Sequence, residues 1–333
     1  MRPHSLLIVA AALGSRVPAE EPIYRFSFEK AEMGMPFRMT LYAPDGATAK
    51  AAADAAFTRV AKLNGVFSDY DPDSELSRLS RTSGSNTPVP VSGDLWTVLA
   101  QSRALSERTD GAFDVTVGPF VNLWRRARRK QELPNPEAIA EMKARVGWPA
   151  MHLDEKARTV TLRKPEMRLD CASMAKGHAV DAALAVVRER GVTRALVAAG
   201  GDMAASEPPP GELGWRIEVA TVEAPGAPRA QTVLLKNSAI GTSGDLFQAV
   251  EIGGIRYSHI VDPLTGIGLT DRSLVSVLGK DCATASSYAT AVSVLGPERG
   301  VKLIEETGDL AVRIVQRPGD AVEFAVSTRW PTP

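Results

Sequence analysis

Period-two segments and segments with a 3.6-residue period are mixed irregularly along this chain, and that mixture limits its fold more than any other feature. Pro36–Ala43 sets Phe37, Met39 and Leu41 against Arg38, Thr40 and Tyr42, the pattern of a half-buried strand. Ala47–Val66 follows with Ala53, Ala56, Phe57 and Val60 at i, i+3, i+4 and i+7, the stripe of an amphipathic helix. Asp94–Thr109 reads as another helix. Ala175–Arg190 is a strong one, with Val180, Ala183, Leu184 and Val187 on one face and Gly191 as its C-cap. From Trp215 onward strands dominate: Trp215–Val219, Thr232–Leu235, Ile255–Ile260, Leu274–Leu278, Ala311–Val315 and Ala321–Ser327. Helices near Ser286–Leu295 and Pro297–Thr307 interrupt them. Because helices and strands do not alternate strictly, the fold expected is α+β rather than a doubly wound parallel sheet.

The chain has 333 residues, which suits one large domain or two modest ones without disulfide staples. Lys+Arg and Asp+Glu number 39 each, so a chain that binds nucleic acid with its whole surface is not expected. Two cysteines exclude a disulfide framework and a Cys-only zinc site. At the N-terminus, Arg2, the apolar run Leu6–Leu13 and the small residues Val17 and Ala19 fit a short secretory signal over residues 1–19, with one domain over 20–333. A frayed apolar terminus of a cytosolic protein is the alternative. No later stretch is long enough to span a bilayer.

Several segments carry dense Gly, Asp, Ser and Thr next to apolar runs. Leu169-Asp170-Cys171-Ala172-Ser173-Met174-Ala175-Lys176-Gly177 opens the strong helix, where free N–H groups and the positive dipole end suit a phosphate. A plain capped helix with a solvated Lys176 fits it as well. The GxxxxGK[ST] spacing of a Walker loop is absent. Gly200-Gly201-Asp202 lets a backbone approach a ligand with one carboxylate at hand, or makes a tight turn. Ser258, His259 and Asp262 crowd five residues of a strand end, so a Ser-His-Asp triad is not expected there. His259, before an Asp-Pro turn, is a candidate general acid or base. Arg125–Lys130 holds five positive charges in six residues and reads as a solvated loop or helix face, since no aromatic residue follows Trp124 for stacking.

In this order, these segments resemble the FAD:protein FMN transferase family, the ApbE flavin transferases, over about residues 33–325. Met33-Gly34-Met35-Pro36-Phe37 looks like the family's MGTxF opening, and Phe67–Ser77 (FSDYDPDSELS) like its STYxPDSEIS stretch. Thr109–Trp124 (TDGAFDVTVGPFVNLW) is close to the family's TDGAFDITVGPLVNLW. Asp170–Asp181, Ala199–Asp202, Thr242–Asp245, Tyr257–Gly266 (YSHIVDPLTG) and Ala289–Gly296 (ATAVSVLG) complete the match. The resemblance implies two intertwined subdomains around a flavin cleft. It also implies a reaction: FAD is cleaved at its pyrophosphate, FMN moves to a Thr or Ser hydroxyl of a target protein, and AMP leaves, with Mg²⁺ required.

By the same resemblance Met33, Tyr70, Ala112, Phe113, Asp114, Asp170, Lys176 and Ile260 fall on FAD-contacting positions. His259 and Asp262 fall in the acid/base and diphosphate region. The Ser173 carbonyl and Thr290 fall on metal positions, and Ser286 stands where the family's Asp-x-x-x-Thr has its aspartate. A hydroxyl is a weaker Mg²⁺ ligand than a carboxylate, and Asp281 or Asp245 could compensate. Cys171-Ala172-Ser173 and Ala198 depart from the family's Gly and Asn. A metal-poor relative acting as flavin carrier or pseudoenzyme is therefore the alternative. Family acceptors are often subunits of membrane redox pumps outside the cytoplasm, which agrees with export. The match also brings Cys171 and Cys282 near one another, so a bridge between them is conceivable in an oxidising compartment.

Overall fold

The computed structural model describes residues 22–221, 227–244, 249–318 and 322–332. The sequence's period-two segment becomes β2 (Met35–Ala43), paired with a preceding strand β1 (Tyr24–Glu32) that the sequence reading did not include. Helix α1 (Gly46–Phe67) starts where Asp45 accepts a hydrogen bond from the Thr48 N–H, an N-cap that satisfies one of its orphan donors. There follow α2 (Glu75–Ser80), β3 (Val89–Pro90), α3 (Gly93–Arg108), α4 (Gly118–Lys130), α5 (Pro136–Arg145), β4 (Met151–Asp154) and β5 (Thr159–Leu162). Helix α6 (Ala172–Glu189) leads into the hairpin β6 (Arg194–Ala199) and β7 (Asp202–Ala205). Then come β8 (Trp215–Val219), β9 (Gln231–Leu235), β10 (Ser238–Gly244), β11 (Ala249–Ile252), β12 (Ile255–Ser258) and β13 (Arg272–Gly279). Helix α7 (Cys282–Thr307) and strands β14 (Ala311–Arg317) and β15 (Glu323–Val326) end the order. Residues 1–19, read as a secretory signal, lie outside the described residues.

Eight strands form one sheet in the order β1-β2-β6-β7-β10-β13-β14-β15, and each neighbouring pair in it is antiparallel. The fold is α+β, as the irregular sequence pattern requires. Alternate side chains face two layers. Phe37, Met39, Leu41 and Ala239 join the core under α1, α6 and α7, while Tyr42, Leu196, Met203 and Ile240 pack with the β8–β9 ribbon through Trp215, Ile217, Val233 and Leu235. A smaller core joins α4 and α5 to the β11–β12 ribbon through Phe120, Trp124, Met142, Val250 and Tyr257.

The two helices expected near Ser286–Leu295 and Pro297–Thr307 are both present within α7, separated by the non-helical Gly296 (φ 76°, ψ 178°) just before Pro297, and the first begins earlier, at Cys282. Among the described residues no helix is long and apolar enough to cross a membrane.

Candidate functional site

The register places several singled-out segments at one end of the sheet. Glu32 faces Met35 across the β1–β2 turn, Phe37 faces Ala199, Ala199 faces Asp202, and Gly244 faces Leu274. The tips Met33-Gly34 and Gly200-Gly201 and the C-terminal end of β10 therefore share an edge. Both Met33 (φ 50°) and Gly34 (φ 76°) are left-handed, as a two-residue hairpin turn requires.

Helices α6 and α7 run antiparallel over this sheet, and α7 is seated on one glycine of α6 and one of β10. A Cβ on Gly177 would collide with the Cys282 carbonyl and the Ala283 backbone, and one on Gly241 with the Ser286 N–H. The Asp181 carboxylate accepts from the Cys282 and Ala283 N–H groups, at 2.9 Å each, and so holds the first turn of α7. Burial pushes that carboxyl up to about 6, against the lowering effect of the two N–H donors.

This seat brings the three expected metal residues together. Ser286 Oγ donates to the Ser173 carbonyl (3.1 Å), and Ser173 Oγ lies 2.7 Å from Thr290 Oγ1. A residue the metal reading had not included joins them: Ser286 Oγ also donates to Asp202 Oδ2 at 3.0 Å. Asp202 is 1% exposed, accepts from the Thr242 N–H at 3.1 Å, and lies 3.3 Å from Lys176 Nζ. Its signal was the carboxylate of the Gly-Gly-Asp tip; the fold supplied the neighbour. Asp281, offered as a compensating ligand, instead caps α7 through the Thr284 N–H (2.8 Å), at the end away from Thr290. Asp245, the other candidate, lies outside the described residues. The set around Ser286 is oxygen throughout, with one carboxylate, which fits a hard cation such as Mg²⁺ that also takes water and substrate phosphate ligands. Among the described residues no cluster of three or more His, Cys, Asp or Glu side chains could hold a metal by itself.

Beside the N-terminus of α6, Asp170 and Tyr70 meet a partner that sequence reasoning assigned elsewhere. Arg125 pairs with Asp69, sits 3.8 Å from Asp170, and lies over the Tyr70 ring with 4.1 Å to its centroid. Arg125 therefore leaves the basic run and belongs to this cluster; the expectation of a uniformly solvated face fails for it. Its pairing residues lie more than forty positions away in sequence, so no local pattern announces it. Arg168 donates to the Asp69 carbonyl. Burial and the neighbouring Asp69 charge push the Asp170 carboxyl up, while its bond from the Ala172 N–H (2.9 Å) opposes them. Tyr70 is 77% exposed.

Ala112, Phe113 and Asp114 are buried. The Asp114 carboxylate accepts from Thr116 N (2.8 Å), Thr116 Oγ1 (2.8 Å) and Trp148 N (2.9 Å), so it braces the segment that runs beside Arg168–Asp170. Burial pushes its carboxyl up despite these bonds.

The segment after β12 is held against α4 by a bond from Trp124 Nε1 to the Gly266 carbonyl (2.8 Å). Asp262 closes its turn, accepting from Leu264 N (2.8 Å) and Thr265 Oγ1 (3.0 Å). Ser258 Oγ accepts from Ile260 N (3.0 Å), and Ser243 Oγ from Ser293 Oγ (3.1 Å). These hydroxyls and this carboxylate each make a local contact. Ile260 is buried and His259 is exposed. Cys171 and Cys282 are free, buried thiols; the conceivable bridge between them is not formed. Burial pushes both thiols up.

Comparison with known proteins places this arrangement. The sequence matches the family described as "ApbE family" over residues 33–314. It is 31% identical over 329 residues to the FAD:protein FMN transferase of Vibrio cholerae, covering 98% of each chain. With the FAD:protein FMN transferase of Haemophilus influenzae it shares 33% identity over 261 residues, 77% of this chain and 75% of that one. The solved flavin transferase ApbE of Vibrio cholerae superposes with a TM-score of 0.82 at 30% identity, over 92% of this chain and 98% of that one. An apo flavinyl transferase ApbE of Pseudomonas stutzeri superposes at 0.80 and 28% identity, covering 92% and 95%. A family match across most of the described chain, together with relatives at 31–33% identity, leads to one conclusion: this chain belongs to the ApbE family.

Proposed function

We propose that this chain is an Mg²⁺-dependent FAD:protein FMN transferase that modifies a Thr or Ser hydroxyl of a target protein. The observation that carries this is the convergence of Ser173, Ser286, Thr290, Asp202 and Lys176 at the N-terminal turn of α6, beside the Asp170–Arg125–Tyr70 cluster. Phosphoryl transfer asks little of a protein beyond positioning and charge compensation.

Tyr70 and Met33 border the space for the flavin ring. Asp170, Lys176, Ile260 and the Ala112–Asp114 segment line the rest of the FAD path. The acceptor oxygen bonds to the FMN-side phosphorus, the P–O bond to AMP breaks, and AMP leaves with the electron pair. His259 takes the acceptor's proton, and the Asp262 turn fixes where its ring stands. Ser173, Ser286, Thr290 and Asp202 would hold the Mg²⁺, whose bound charge offsets that on the diphosphate.

Residues 20–333 act as one domain in this reading. Export through residues 1–19 would meet an acceptor outside the cytoplasm, such as a membrane redox-pump subunit. The replacement at Ser286 favours one competing reading, a flavin carrier that binds FAD without transferring FMN.

Incubation with FAD, Mg²⁺ and a peptide bearing a D-[SG]-[AST]-T-like site separates the two. Flavin fluorescence on the peptide band, with AMP released, supports transfer. Tight FAD binding without AMP release overturns it in favour of the carrier.

A further inference from the structure

We infer that Asp202 supplies the carboxylate of the divalent-cation site that residue 286 no longer provides. This deepens the reading of the chain as an Mg²⁺-dependent transferase and rests on it. Ser286 Oγ spans two oxygens, the Ser173 carbonyl at 3.1 Å and Asp202 Oδ2 at 3.0 Å. A cation at the Ser173 carbonyl therefore lies one short hydroxyl away from a carboxylate. That carboxylate is 1% exposed and belongs to a different strand, at the tip of the β6–β7 hairpin.

A buried carboxylate needs charge compensation. Lys176 Nζ at 3.3 Å and the Thr242 N–H at 3.1 Å give Asp202 part of it. Oδ2 faces Ser286 and Lys176 together, so a cation and the ammonium compete for one oxygen. Of the two other carboxylates expected to compensate, Asp281 caps the first turn of α7, and Asp245 lies outside the described residues.

The test uses Mn²⁺ as probe, titrated into the full chain with and without FAD and followed by the EPR signal of free Mn²⁺. Asp202→Asn keeps an acceptor for the Thr242 N–H and loses the charge; its Mn²⁺ affinity is expected to fall about tenfold or more. The double variant Asp202→Asn/Ser286→Asp returns a carboxylate to the same oxygens from α7, and affinity recovers. Lys176→Met removes the competing ammonium and tightens Mn²⁺ binding, a readout that stands even where Asp202→Asn does not fold.

Equal Mn²⁺ affinity in the parent chain and folded Asp202→Asn overturns this inference and leaves the Mg²⁺-dependent transferase intact. No gain in Lys176→Met likewise overturns it. A parent chain that binds no Mn²⁺ under either condition, yet transfers FMN in the presence of chelator, overturns the Mg²⁺ requirement and this inference with it.

Discussion

Arg125 lies over the face of Tyr70, its guanidinium carbon 4.1 Å from the ring centroid, while the same guanidinium faces Asp69 and Asp170. One cation thus steadies an exposed aromatic ring and two carboxylates. Arg125→Ala is expected to destabilise the fold by about 1–2 kcal/mol, less than a fully buried pair because the site is partly open to water. It also loosens FAD binding, because Tyr70 loses its backing. Urea unfolding and a flavin-fluorescence titration measure the two effects separately; wild-type FAD affinity would show that Tyr70 does not border the flavin.

The glycine seats of α7 give a steric prediction. Gly241→Ala and Gly177→Ala each drive a methyl into backbone that cannot yield, at a cost of about 3 kcal/mol or more. Gly65→Ala, in the exposed surface of α1 with open space at its Cβ position, should instead stabilise by up to about 1 kcal/mol. Thermal unfolding of the three variants decides it.

Asp181 titrates in a useful window. Its carboxyl is raised from 3.8 to about 6 in the folded chain, so the folded state binds a proton that the unfolded state has released. Stability from this group is therefore present at low pH and lost as pH rises from about 4 to about 6. The stability of the parent chain relative to Asp181→Asn should fall across that window by up to about 3 kcal/mol. Denaturation of both proteins at pH 4.5 and 7 tests the sign, and a difference that grows with pH contradicts it.

His259→Ala should lower FMN transfer by about 10²–10⁴-fold while leaving FAD binding near its parent value, as loss of a proton acceptor does. Asp262→Asn should act through the turn it closes with Leu264 and Thr265, with a smaller loss of rate accompanied by reduced stability. Single-turnover rates with FAD and acceptor peptide separate these two outcomes.

Both cysteines should be silent in the native protein. Their thiols are buried and pushed up, so a thiol reagent near pH 8 should count none before unfolding and two after it, with the same gel mobility with and without reductant.

The sequence displayed its long periodic elements and concealed its edges and its pairings. Strand β2 and helices α1 and α6 were legible because one face of each packs into the core at a regular period. Strand β10 was not, because its run Ser238–Gly244 is built of small residues whose purpose is to let α7 come close. Strand β1 lies at the sheet edge with most of its side chains exposed, so alternation there carries little hydrophobic contrast. The site divides the same way. Ser173, Ser286 and Thr290 follow from the resemblance to the family, and the fold brings them together. Asp202 was visible as the carboxylate of a Gly-Gly-Asp tip, but its place beside Ser286, like that of Arg125 beside Asp69, comes through partners dozens of residues distant, which no spacing rule reaches.

The glycine contacts under α7 separate two things that usually change together. Backbone packing at Gly177 and Gly241 fixes where residue 286 stands, whatever side chain it carries. A substitution at that position can therefore alter which atoms are offered to a ligand while leaving the address unchanged. The helix behaves as a socket that accepts different fittings, and the serine now occupying it is free to borrow its charge from the neighbouring strand.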